Sequence, residues 1–220
     1  SIAAFMFLNT AAPRTLTISS GPVGSSFQRN AERYQKILAR EGVALKILPS
    51  DGSSDNLKNL ANPKGAADIG FVLGGEARDA KFDNLVSLGS VAFQPLMVFH
   101  TGAPRKLLSE FKGGRINIGP AGSGTHTLAL TLLKANGIVP GEGTRLDETD
   151  LTDPEKELRE RRVDAVFLMS DSTATEAMRG LMRDQDVRLF SFVQADAYVR
   201  RIGTLNKLHL PRGRCSLFSV

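Results

Sequence analysis

Apolar and polar positions along this chain repeat with two different periods, and the switches between them lay out its elements. Thr15 to Ser19 (TLTIS) has the β-branched content of a short strand. Gly21-Pro22-Val23-Gly24-Ser25-Ser26 breaks it. From Phe27 to Arg40, the residues Phe27, Ala31, Tyr34, Ile37 and Leu38 recur at helical spacing, which predicts an amphipathic helix. Ala44 to Leu48 predicts a second strand, and about Ser54 to Leu60 a second helix with Ser53 or Ser54 as its N-cap. Ala67 to Leu73 (ADIGFVL) predicts a buried third strand ending on Gly74-Gly75. Three strands joined through two helices by short connections predict a parallel βαβαβ unit.

Leu85 to His100 is strand-rich and leads into Thr101-Gly102-Ala103-Pro104, the expected crossing to a second unit. That unit starts as the first does. Arg115 to Ile118 reads as a strand, Gly119 to Gly124 as a glycine loop, and Thr125 to Asn136 as a helix closed by Gly137. Further on, Pro154 to Arg162 predicts a polar helix and Val163 to Met169 (VDAVFLM) a buried strand. Thr173 to Arg183 predicts another helix, Val187 to Phe192 a strand, and Ala195 to Arg200 a short last helix.

The informative feature is an internal echo. Residues 18–27 read ISSGPVGSSF and residues 116–125 read INIGPAGSGT, so each unit places Gly-Pro-x-Gly-Ser between a strand and a helix. The glycines let a ligand approach the main chain, the serines can cap the helix or donate to an anion, and the helix N-terminus adds unpaired N–H groups. One such loop is common at strand-to-helix turns. Two, one per unit, predict two lobes that face one cleft.

Composition narrows the classes. With 220 residues, 41% of them hydrophobic, the chain can bury a sizeable core, and 21 glycines with no tryptophan suit an α/β protein. A net charge of +5, from 28 basic and 23 acidic residues, suits an anionic ligand or an acidic membrane surface. The charges are scattered, with no basic run interleaved with aromatics, so no nucleic-acid partner is expected. The single cysteine, Cys215, excludes an internal disulfide. His100, His126 and His209 show no metal-ligand spacing, and no cofactor is implied. Neither glycine loop carries the P-loop lysine, the dinucleotide fingerprint or a nucleophile elbow. Ser123 and His126 would share one helical turn without an acid to orient the histidine, so no catalytic residue is assigned. Ser1 to Leu8 (SIAAFMFL) is too short to span a bilayer and reads either as a strand-like start or as the end of a signal or anchor segment. The polar, Pro-containing stretch that follows favours the second.

On the motifs GPVGSSF, DGSSDNLKNL, ADIGFVLGG, LVSLGSV and INIGPAGSGTHTLALTLLKANGI, the chain resembles the TAXI family of solute-binding proteins of TRAP transporters, from about Thr15 to about Pro211. The resemblance implies a type 2 periplasmic-binding-protein fold: two α/β lobes, a hinge and an interlobe ligand cleft. Residues 15–101 with 205–220 would form lobe 1, residues 102–204 lobe 2, and residues 1–14 the end of a membrane anchor or signal segment. Such proteins are periplasmic, some tethered to the inner membrane, and pass a small carboxylate, such as glutamate or a dicarboxylate, to a TRAP-type permease. A ligand-sensing regulatory module using the same cleft is the alternative.

Carried onto this sequence, the resemblance gives Gly24, Ser25, Ser26 and Phe27 to the first side of the cleft, with Ser53, Ser54 and Gly74 from neighbouring loops. Ser123, Gly124 and Thr125 would hold a carboxylate from the second side. Asp171 and Ser172 lie where open α/β sheets bind ligands; Asp171 either accepts from a ligand ammonium or caps the next helix. Gln94 is either a polar group of the cleft or an ordinary strand residue. The chain departs from the family in stopping early, so that 205–220 is expected to supply only a crossing and one strand. It also has no arginine in either glycine loop, which leaves Arg78 or Arg145 as the nearest carboxylate clamp.

Overall fold

The computed structural model describes residues 14–77, 82, 84–141, 143–209 and 216–219. Arg78, Cys215 and the segment Ser1–Leu8 lie outside them. The first unit is built as its pattern predicts. Strands β1 (Thr15–Ser19), β2 (Ala44–Leu48) and β3 (Ile69–Gly70) form a parallel sheet in the order β2-β1-β3. Helix α1 (Ser26–Arg40) crosses from β1 to β2 and buries Phe27 and Ala31. Ser25 caps it, its side chain accepting from the Gln28 N–H at 3.1 Å. Helix α2 (Ser53–Ala61) leads from β2 to β3.

Two expectations are corrected here. The third strand spans two residues rather than Ala67 to Leu73, because its register, Ile18 with Ile69 and Ser19 with Gly70, runs out where β1 ends. Phe71 and Leu73 then turn into the core as loop residues. Leu85 to His100 is strand only over β4 (Pro95–His100); no described strand pairs with 85–94, and Val86, Leu88, Val91 and Phe93 there are exposed.

The larger sheet takes β4, β5 (Arg115–Asn117), β6 (Arg145–Asp147), β7 (Ala165–Leu168), β9 (Asn206–His209) and β10 (Ser216–Ser219) in the order β6-β5-β7-β4-β10-β9, with β8 (Arg188–Leu189) also on β4. Strands β4, β9 and β10, which come from the segments at the two expected crossings, hydrogen-bond into this larger sheet. Along β4 and β7 the side chains alternate between two apolar layers. Leu96, Val98 and Phe167 face a core continuous with the first unit, whereas Phe99, Val166 and Leu168 face a second cluster with Met178 and Leu181. A strand apolar on both faces is what a sheet covered on both sides requires.

Helices α3 (Gly124–Ala135), α4 (Pro154–Arg159), α5 (Thr175–Arg183) and α6 (Ala195–Arg201) complete the described unit. Leu128, Ala129, Leu132 and Leu133 seat α3 on the sheet, and Gly137, at φ 71°, ends it in the left-handed conformation that favours glycine. The β6 segment, RLD, carries no strand signal of its own and is held by parallel pairing to β5.

Candidate functional site

Both glycine loops stand at the carboxyl ends of parallel strands, and each packs against the opposite unit. The Ser26 N–H donates to the Ser170 carbonyl at 2.6 Å, the Asp55 N–H to the Gly122 carbonyl at 3.0 Å, and the Thr175 N–H to the Gly24 carbonyl at 3.4 Å. Arg29 bridges the same contact, donating to the Gly24 carbonyl and the Thr175 hydroxyl. Glycine makes this approach sterically feasible. A Cβ on Gly122 would lie 2.6 Å from the Asp55 Cγ, and one on Gly52 would lie 3.0 Å from the Asp171 Oδ2 and 3.2 Å from the Ser123 Cα.

Gly52, not Ser53 or Ser54, is the N-cap of α2, at φ 134°. Both serines are engaged sideways instead. Ser53 donates to Glu76 and accepts from the Leu73 N–H at 2.7 Å. Ser54 donates to Glu76 at 2.7 Å and reaches the Thr127 hydroxyl at 3.1 Å.

At the start of α3, the donors expected to hold a carboxylate do hold one, that of Asp171. The Gly124 N–H donates to Oδ2 at 3.0 Å, and the Thr125 and Ser172 hydroxyls donate to Oδ1 at 3.2 and 3.1 Å. Asp171 therefore sits at the N-terminus of α3, and the helix that follows it, α5, has Ala174 at its cap position and no side-chain cap. Its carboxyl is fully buried, and that burial pushes it up to about 6; the Glu76 carboxylate adds to the rise, and the three hydrogen bonds oppose it. No ion pair among the described residues joins it. Ser123 is the α3 N-cap, accepting from the His126 N–H at 3.2 Å and donating to the Pro120 carbonyl at 2.7 Å. Ser123→Ala is expected to lower stability by about 1–2 kcal/mol in urea unfolding, since it strips a buried cap and frees a carbonyl. An unchanged midpoint would show that the cap contributes nothing.

A second group of the expected residues borders open space. Phe27, Gly74 and Gln94 line a cavity of about 240 Å³ with Phe71, Asn30 and Ser90. The Phe27 and Phe71 rings pack 5.2 Å apart at 33°. Gln94 is 4% exposed, and its Oε1 accepts from the Ser26 hydroxyl at 3.1 Å and the Ser170 hydroxyl at 2.5 Å. Ser54 borders a different space, a shallower groove of about 710 Å³ along α2 with Lys58, Glu76 and Thr127. It is the larger of the two, but no described residue of either glycine loop lines it.

Thus Ser25, Ser26, Phe27, Gly74 and Gln94 gather on one side of the junction, and Ser123, Gly124, Thr125, Asp171 and Ser172 pack solidly on the other. Arg145 stands apart: exposed, it pairs with Asp147 at 2.8 Å and reaches neither group. Sequence reasoning missed Glu76, Phe71, Asn30 and Ser170. Phe71 lies within ADIGFVLGG without being marked there as a wall residue, Glu76, Asn30 and Ser170 lie outside the quoted motifs, and only the topology brings the four in. No group of three His, Cys, Asp or Glu among the described residues could hold a metal ion, and no described helix is long and apolar enough to cross a membrane.

Two α/β units meeting at the carboxyl ends of their strands, with loops converging on one junction, define the type 2 periplasmic-binding-protein fold. Solved structures share it. An ancestral arginine-binding protein bound to arginine superposes with a TM-score of 0.55 at 14% identity, over 96% of this chain and 85% of that one. The periplasmic aliphatic sulphonate binding protein SsuA from Escherichia coli gives 0.53 at 16% identity, over 95% of this chain and 62% of that one. The effector-binding domain of QuiR in complex with shikimate gives 0.54 at 9% identity, over 94% and 87%. A sequence search of curated proteins gave no match. The chain belongs to the NMT1-like family, whose model matches residues 22–209.

Proposed function

We propose that this protein is an extracytoplasmic receptor that captures a small carboxylate and delivers it to a TRAP-type membrane permease. One observation carries the reading: the echoed glycine loops each bond to the opposite unit across the junction of two α/β units, beside a cavity lined by an aromatic pair and a buried amide. The fold is one that other proteins use to close on small molecules, including arginine and sulphonates. The TAXI-like motifs favour a TRAP-type permease as partner, and an apolar N-terminal segment suits a tether to the inner membrane. Catalysis has no support in the site, where the serine nearest a histidine serves as a helix cap. A second reading, a ligand-sensing module, is favoured by the likeness to the QuiR effector domain.

Thermal unfolding in the presence of amino acids, dicarboxylates and monocarboxylates tests the proposal. A true ligand raises the melting temperature with concentration, contributing about 2.7 kcal/mol when present at a hundred times its Kd. A flat response to every carboxylate at millimolar concentration would sink it. Turnover of a bound compound would sink both readings.

A further inference from the structure

Resting on that reading, we infer that the Gln94 amide is the group that recognises the ligand, and that the ligand is a monocarboxylate with an apolar body. A dicarboxylate or a zwitterionic amino acid does not suit the cavity. The side chain of Gln94 is held from both units: Ser26 on the first and Ser170 on the second donate to its Oε1. Neither hydroxyl has another acceptor among the described residues, so this orientation of the amide satisfies both. The Nε2 then carries two N–H donors that bond to no described residue, on a side chain that is 4% exposed and lines the cavity. An acceptor oxygen in the cavity supplies these donors with the partner that no described residue provides.

The rest of the wall defines the body of the ligand. Phe27 and Phe71 offer a buried aromatic surface, and Asn30 adds a second amide whose side chain bonds to no described residue. The α1 N-terminus adds partial positive charge through the first turn that carries Phe27. A carboxylate accepting from Gln94 makes the stronger, charge-assisted form of hydrogen bond. Among the described residues, no Asp, Glu, Lys, Arg or His lines this cavity. A ligand ammonium or a second carboxylate would therefore lose its hydration with no partner to replace it. At about 240 Å³, the space is below the usual range of drug-sized sites and fits a compact acid.

Calorimetric titration of the whole chain with phenylacetate, hexanoate, succinate, glutamate and phenethylamine tests this. Phenylacetate or hexanoate is expected to bind, and succinate, glutamate and phenethylamine are not. Gln94→Glu keeps the two serine contacts but replaces the donors with an anionic oxygen. It should weaken phenylacetate at least about 10–100-fold and create binding of phenethylamine. Should that variant misfold by circular dichroism, Asn30→Asp on the half-exposed wall is expected to weaken phenylacetate in the same direction.

Succinate or glutamate binding in preference to both monocarboxylates overturns the inference and leaves the receptor function standing. So does phenylacetate binding that neither substitution alters, or phenethylamine binding to the unaltered protein. If none of the five compounds nor any other carboxylate binds, the inference and the function fall together.

Discussion

Gly52→Ala is expected to destabilise the protein by roughly 2–4 kcal/mol and to force the turn before α2 away from the second glycine loop. Two costs add. At φ 134° the backbone lies where only glycine is comfortable, worth about 1–3 kcal/mol for another residue. The new methyl would also meet the Asp171 Oδ2 at 3.0 Å and the Ser123 Cα at 3.2 Å, and the second of these is main chain that cannot swing aside. Gly89 supplies the control. Its φ is 133°, yet a Cβ there would have nothing within 4 Å, so Gly89→Ala bears the backbone cost alone. Urea unfolding of the two variants separates the terms. Equal losses would show that close approach to Ser123 and Asp171 contributes nothing at Gly52.

Asp171 gives the largest expected pH effect. Its folded carboxyl titrates at about 6, against an ordinary value of 3.8. The folded protein therefore holds more protons than the unfolded one between those values. The favourable contribution is fully present below pH 3.8 and is lost as pH rises through about 6, the reverse of the usual salt-bridged carboxylate. The loss amounts to about 3 kcal/mol, because the group is fully buried and two units of pKa convert at about 1.4 kcal/mol each. Asp171→Asn should flatten this part of the stability curve and leave the variant more stable above pH 7. Its carbonyl can accept from the Gly124 N–H while its amide donates to the Thr125 and Ser172 hydroxyls. Urea unfolding of both proteins from pH 4 to 8 gives the difference curve, and parallel curves would refute the assignment.

Much of the scaffold was legible because period and composition agree over long stretches. TLTIS, ALKIL and VDAVFLM read as strands, and the helical spacing from Phe27 onward gives α1 to within one residue. The apolar run from Leu85 to Phe93 misled for a physical reason. Alternation marks a segment fit for a sheet, but a strand exists only where a partner supplies hydrogen bonds, and no described strand does so there. The RLD of β6 erred the other way, since pairing to β5 imposes a strand that its side chains do not announce.

In the site, the glycine loops were legible because a turn that brings backbone to backbone needs glycine at fixed places. Their occupancy was not. That Asp171 fills the α3 N-terminus, or that Ser170 joins Ser26 on one amide oxygen, depends on segments far apart in sequence being set side by side. A local pattern holds no record of that.

The position of β4 has a kinetic consequence. It pairs with β7, β8 and β10, so Val98 lies opposite Phe167 and Leu96 opposite Phe218. The first sheet, by contrast, is closed entirely by strands between Thr15 and Gly70. During synthesis the first sheet has all its strands early, while the strand at the middle of the larger sheet must wait for much later chain. Pairing across such separations pays the larger loop-closure entropy before any contact repays it. Folding is thus polarised along the chain. The apolar faces of β4 are the surface left longest without cover, and a stalled or shortened product would aggregate through them.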